Sequence, residues 1–162
     1  MNSTISRGLV VLVLVTCTFL VLWWVTPKPV DQGGWLVTDV LAGDLVVVER
    51  DGEAHEVHLF GVWAPASGEC GFLESRQYLA DGIEGTEVVL KEYVSDPGSP
   101  VPEASANTDA QWERYVELQR RDVGLAQIEA GHAVASGEIH DRTDAYWAAQ
   151  RAAIDADRYA CD

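Results

Sequence analysis

Three runs of β-branched and apolar residues between Trp35 and Val62 are separated by two turn signals. This punctuation commits the first part of the chain to a β-meander. Trp35–Leu41 and Leu45–Arg50 are divided by Ala42-Gly43-Asp44, and Asp51-Gly52 is a dipeptide that closes two-residue hairpins. Ala54–Val62 alternates in part, His55, Val57 and Leu59 against Glu56, His58 and Phe60, and reads as the third strand. Ala64–Gly71 is a Pro/Gly/Ser loop, and Phe72–Ile83 has helical spacing through Phe72, Leu73, Leu79 and Ile83. Thr86–Val94 and Trp112–Leu118 read as two further strands around an aperiodic loop, Ser95–Ala110. Asp122 is placed to cap a helix that stops at Gly131, and Thr143–Ala156 is a last amphipathic helix containing Tyr146, Trp147, Ala149 and Ile154. Five strands and about three helices in this order form a compact α+β domain that fits a five-stranded OB-fold β-barrel.

Residues 1–30 differ in kind from the rest. They hold no acidic residue, and Gly8–Val25 is an 18-residue apolar run between Arg7 and Lys28. A membrane-spanning helix needs about 20 such residues. Trp23-Trp24 suits the membrane–water boundary, and Thr26-Pro-Lys-Pro29 stands where a small-residue cleavage site would be needed for a signal peptide. The chain therefore reads as residues 1–30, one N-terminal transmembrane anchor and linker, followed by the barrel domain, residues 31–162. The expected partner of residues 8–25 is the bilayer. Arg7 and the amino terminus place the N-terminus in the cytoplasm and the domain on the extracytoplasmic side, a single-pass protein of the cell membrane.

Residues 31–162 carry 9 basic and 26 acidic residues, a formal net charge of −17. A field of that sign repels DNA and RNA, so nucleic acid is not an expected partner. Of the three cysteines, Cys17 lies in the apolar run; Cys70 and Cys161 remain, which permits one disulfide in an exported domain. No Gly-x-Ser-x-Gly elbow, phosphate-binding glycine loop or Cys-x-x-Cys pair occurs. His55 and His58 are three apart on a strand and cannot face the same side, and His132 and His140 have no ligand spacing with cysteine.

From about Trp35 to Cys161 the chain resembles the staphylococcal-nuclease-like (thermonuclease) family. That family's pattern runs through an Asp-Gly-Asp-Thr turn, a hairpin and then Val-Arg-Leu-Ile-Gly-Ile-Asp-Ala-Pro-Glu. The counterparts here are Leu41-Ala-Gly-Asp44 and Val57-His58-Leu-Phe-Gly61-Val62-Trp63-Ala64-Pro65-Ala66. Glu69-Cys70, Trp112-Glu113-Arg114, Gln127-Ile128-Glu-Ala-Gly131 and Arg158-Tyr-Ala-Cys161 match later family segments in order. The resemblance implies a barrel with a Cys70–Cys161 bridge; closing a loop of that length stabilises by about 4–5 kcal/mol in the chain-entropy model.

The family's chemistry uses two aspartates on calcium, a glutamate for water and two arginines on the phosphate. Hard oxygen ligands suit the metal, and guanidinium groups stabilise the charge that develops in transfer. Asp44 matches the first calcium aspartate, hence the one candidate metal ligand, and Arg114 matches the second arginine. His58 replaces the first arginine, Trp63 the second aspartate and Ala66 the glutamate. An indole offers a metal no oxygen, alanine is no base, and imidazole cannot form the bidentate fork of arginine. Glu69 is a poorly placed substitute for the lost glutamate. Asp44 is expected to hold its turn by hydrogen bonding, Arg114 to pair with Glu113 or Glu117, and Trp63 to pack over the old cleft. An exposed aromatic there would instead give a peptide or other partner a surface.

The expected function is a catalytically inactive binding or assembly module at the outer membrane surface, an accessory subunit whose partner is another membrane or exported protein. No cofactor is expected. The alternative is a weak calcium-dependent extracellular nuclease, with Ca²⁺ at Asp44.

Overall fold

The computed structural model describes residues 34–93 and 112–159, all within one compact unit, Gly33–Asp162. The apolar run 8–25, the loop 95–110 and Cys161 lie outside the described residues. Among the described residues no helix is long and apolar enough to cross a membrane.

The first three strands are β1 (Trp35–Ala42), β2 (Leu45–Arg50) and β3 (Glu53–Leu59), all antiparallel neighbours. Asp51 and Gly52 both take left-handed backbone, φ 55° and 84°, as the tight hairpin between β2 and β3 requires. A two-residue strand β4 (Val62–Trp63) leads through a loop into helix α1 (Phe72–Ile83). Strand β5 (Glu87–Lys91) then pairs with β1, and β6 (Trp112–Leu118) pairs with β5. A parallel pairing of β6 with β3, Val57 opposite Trp112 and Leu59 opposite Arg114, closes the barrel. The short β7 (Arg121–Asp122), α2 (Val123–Ala130), β8 (Val134–Ala135) and α3 (Thr143–Asp155) complete the order. The result is a closed five-stranded barrel with three helices, an α+β architecture compatible with the OB-fold. β4 and β8 form a separate two-stranded ribbon.

The barrel is filled by small branched side chains. Val37, Val40, Val46, Val48, Val57 and Val88 are all fully buried. Strict alternation would send Val37 and Val40 to opposite faces. A register shift between Val37 and Asp39 offsets the alternation so that both point inward. On α1 the inward positions are Ser75, Leu79 and Ile83, one stripe at four-residue spacing. Leu73, an apolar member of the expected helix pattern, is 69 % exposed. On α3 the inward pair is Tyr146 and Ala153, leaving Trp147 and Ile154 largely in solvent. α2 is bounded by local chemistry: Asp122 accepts from the Leu125 N–H at 3.1 Å, and Gly131 stops the helix at φ 80°.

A polar lock joins β6, β7, α2 and α3. The Arg142 guanidinium donates to Asp122 Oδ2 at 2.6 Å and Glu117 Oε1 at 2.7 Å, and it sits 3.9 Å above the Tyr115 ring. Tyr146 also donates to Asp122 Oδ2, at 2.9 Å. The Tyr115 hydroxyl lies 2.7 Å from both His140 Nδ1 and Asp141 Oδ1. His140 Nδ1 accepts from the Arg142 N–H at 3.1 Å, so the ring is held as a buried acceptor.

Burial holds the His140 imidazole below the ordinary histidine range. Asp141, Glu138 and Asp122 oppose the shift, and Arg142 reinforces it. Burial lowers His132 as well, against Glu74. The unfolded chain takes up protons near pH 6.5 that these folded rings refuse. Their contribution to stability is therefore complete above about pH 6.5 and declines as pH falls below it towards and through the folded value. The urea midpoint is expected to fall as pH drops from neutral towards 5. His140→Asn keeps an acceptor for the Arg142 N–H and should fall less steeply. Equal slopes for the two proteins would remove His140 as a source of the acid sensitivity.

Candidate functional site

The turn between β1 and β2 is anchored through Asp44. Its carbonyl accepts from the Leu59 N–H at 2.8 Å, and its Oδ2 accepts from the Ala64 N–H at 3.1 Å. Asp44 is expected from the sequence to hydrogen-bond its own turn; its side chain instead accepts from a loop twenty residues on. That bond ties the β1–β2 turn to the segment carrying Trp63 and Ala66.

Arg114 does not pair with a carboxylate as expected. Its Nη1 donates to the Glu113 carbonyl at 2.8 Å, and its guanidinium lies 5.7 Å from the Trp112 ring centroid. Glu117 is taken by Arg142 instead. His58 sits opposite Leu45 on β2 and Glu113 on β6, while His55 stacks on Trp112 with ring centroids 4.0 Å apart. Among the described residues no group of three or more His, Cys, Asp or Glu is arranged to hold a metal ion, and no ion pair involves Asp44.

Trp63 corrects the sequence expectation most sharply. It does not pack over the cleft; it is 72 % exposed at its edge. The reason is its place on β4, whose pairing with β8 sets Val62 inward and Trp63, opposite Val134, outward. The cleft, about 350 Å³, is lined by Trp63, Pro65, Ala66 and Glu69 on one side and by His132, Val134 and Tyr159 on the other. Asp44, His58 and Arg114 do not line it. Of the five positions aligned with the nuclease pattern, Trp63 and Ala66 thus lie on the cleft, and Asp44, His58 and Arg114 lie off it.

Glu69 is committed locally. Its Oε2 accepts from the Ala66 N–H at 2.7 Å, while the Glu69 N–H donates to the Ala66 carbonyl at 2.9 Å. The loop 66–69 is therefore a closed clasp with its carboxylate fixed on the cleft wall. His132 packs against Tyr78 with ring centroids 4.6 Å apart. The Tyr159 hydroxyl donates to the Ala133 carbonyl at 3.2 Å, and burial raises its phenol. Near neutral pH both groups are uncharged, and among the described lining residues the one carboxylate is that of Glu69.

Cys70, beside this loop, is disulfide-bonded. The other two cysteines, Cys17 and Cys161, lie outside the described residues. A second, wider cleft of about 630 Å³ runs between α1 and α2, lined by Tyr78, Ile83, Leu118, Arg121 and Val123 among others, and carries none of the family positions.

His132, Val134 and Tyr159 did not emerge as site residues from the sequence. His132 and Val134 approach Trp63 through the β4–β8 ribbon, whose two-residue strands are too short to leave a periodic signal, and Tyr159 reaches the cleft from beyond α3, its hydroxyl on the Ala133 carbonyl. The barrel and the cleft define the class, a closed five-stranded α+β barrel compatible with the OB and staphylococcal-nuclease-like folds. The sequence matches no protein-family model, and no curated protein is significantly similar to it.

Proposed function

We propose that this chain is a non-catalytic binding module on a staphylococcal-nuclease-like scaffold. In this reading residues 8–25 anchor it in the cell membrane, the N-terminus is cytoplasmic, and residues 31–162 stand outside as an accessory subunit of a membrane assembly. A Cys70–Cys161 bridge ties the end of the domain to the cleft loop. One observation carries the reading: the position the family uses for its second calcium aspartate is an indole, 72 % exposed at the edge of an apolar cleft. The commitments of Asp44 to the Ala64 N–H and of Arg114 to the Glu113 carbonyl support it, because each removes a family side chain from phosphate chemistry. A barrel presenting an aromatic at a cleft is suited to holding a partner.

The test is a cleavage assay of the full chain in detergent with single-stranded DNA and millimolar calcium. No cleavage above background is expected. Calcium-dependent cleavage that disappears in Asp44→Ala or Arg114→Ala would reinstate the nuclease and end the binding-module reading.

A further inference from the structure

The Trp63 cleft and the hollow beside it share Pro65, Glu69, Gly131, His132 and Tyr159, and among the described residues neither is lined by a lysine or arginine. Their fixed ionic group is the Glu69 carboxylate, immobilised by the Ala66 N–H. Glu74, in the first turn of α1, adds a second negative charge close enough to act on the His132 ring. His132 offers no opposing cation near neutral pH, since burial keeps it neutral. The acidic field of residues 31–162, net −17, extends this local bias to long range and raises the local concentration of cations.

Trp63 supplies the other half of a cation site. Indole is the best π face for an ammonium or guanidinium group, and this one is open to solvent. Pro65, Ala133 and Val134 give the aliphatic stem of a lysine or arginine a surface to lie on. A phosphate, by contrast, finds no guanidinium among the described lining residues and a fixed carboxylate in its way. The geometry points to a docking site for a basic segment of a partner protein, with a lysine or arginine laid across Trp63 and its charged head towards Glu69. This inference rests on the binding-module reading and names what that module holds.

The experiment titrates the full chain in detergent with a short oligo-arginine peptide at about 0.15 M salt, where diffuse attraction is largely screened. Neutral glycine-serine and oligo-glutamate peptides and a DNA oligonucleotide of similar length serve as comparisons. The arginine peptide is expected to bind, with affinity falling about tenfold in Trp63→Ala, and by a similar factor in Trp63→Leu, which keeps apolar contact without the indole face. Glu69→Gln, which keeps an acceptor for the Ala66 N–H, is expected to weaken it about threefold. Trp147→Ala removes a half-exposed tryptophan of α3 and should change nothing. Equal binding by wild type and Trp63→Ala, or by the arginine and neutral peptides, overturns the proposal, as does preference for the oligonucleotide. Capture of a membrane protein that is lost in Trp63→Ala, with no binding of the arginine peptide, overturns the basic occupant and leaves the binding module standing. Cleavage of the oligonucleotide removes both.

Discussion

Replacing Arg142 by methionine is expected to cost about 3–5 kcal/mol of unfolding free energy, a large share of what a domain of this size possesses. The side chain is 24 % exposed, and its two carboxylate partners, Glu117 and Asp122, are 18 % and 11 % exposed. Removing the cation leaves two part-buried anions side by side without compensation. Asp122 also caps α2 and accepts from Tyr146, so its displacement loosens a helix start and the α3 contact together. Lysine is a poor substitute, because a single ammonium cannot fork between two carboxylates and cover the Tyr115 ring. The triple variant Arg142→Met, Glu117→Gln, Asp122→Asn should recover part of the loss, because it buries no charge. Urea denaturation near pH 7 reads all of these. A loss under about 1 kcal/mol for the single variant would show the lock to behave as a solvated surface pair.

Gly43→Ala is the second large effect, and its cause is steric. A Cβ at Gly43 would stand 1.7 Å from Ser75 Oγ and 2.9 Å from Ala64 Cβ. Gly43 is buried between the β1–β2 turn and α1, and its carbonyl accepts from Gln127 Nε2 at 2.6 Å, so the turn cannot withdraw without breaking a buried bond. Overpacking at such a point costs about 3 kcal/mol. The same movement would pull Asp44 off the Ala64 N–H and shift the Trp63 loop. Ser75→Gly should restore part of the loss in the double variant, less the roughly 1 kcal/mol that glycine costs inside a helix. Ser75→Ala alone should be neutral or stabilising, since its buried hydroxyl has no hydrogen-bond partner. Additive losses in the Gly43→Ala/Ser75→Gly double variant would refute the steric account.

Much of the architecture was legible wherever neighbouring residues settle the backbone. The β2–β3 hairpin follows from Asp51-Gly52, and α2 follows from its Asp122 cap and Gly131 stop. The bounds of α1 follow from the spacing of Phe72, Leu79 and Ile83. Which face those elements turn inward was less legible. Leu73 looked like a core residue and is exposed, while Ser75 occupies the stripe, because the helix axis is set by the fit of Gly43 and Gln127 against it. In the candidate site, Trp63, Ala66 and Glu69 could be picked out in one continuous segment. His132 and Tyr159 could not, because they arrive from opposite sides of α3.

The order of the five barrel strands and three helices, the acidic charge and the mismatch of three of five positions to the nuclease pattern are properties of residue identity and local spacing, and the chain alone decides them. Pairings between distant segments belong to tertiary structure. β6 closes the barrel on β3, β8 turns Trp63 out to solvent, and Arg142 is drawn to two carboxylates more than nineteen positions away. Each depends on which surfaces meet once the valine core is buried, and nothing within a few residues of Trp63 or Arg142 encodes that meeting.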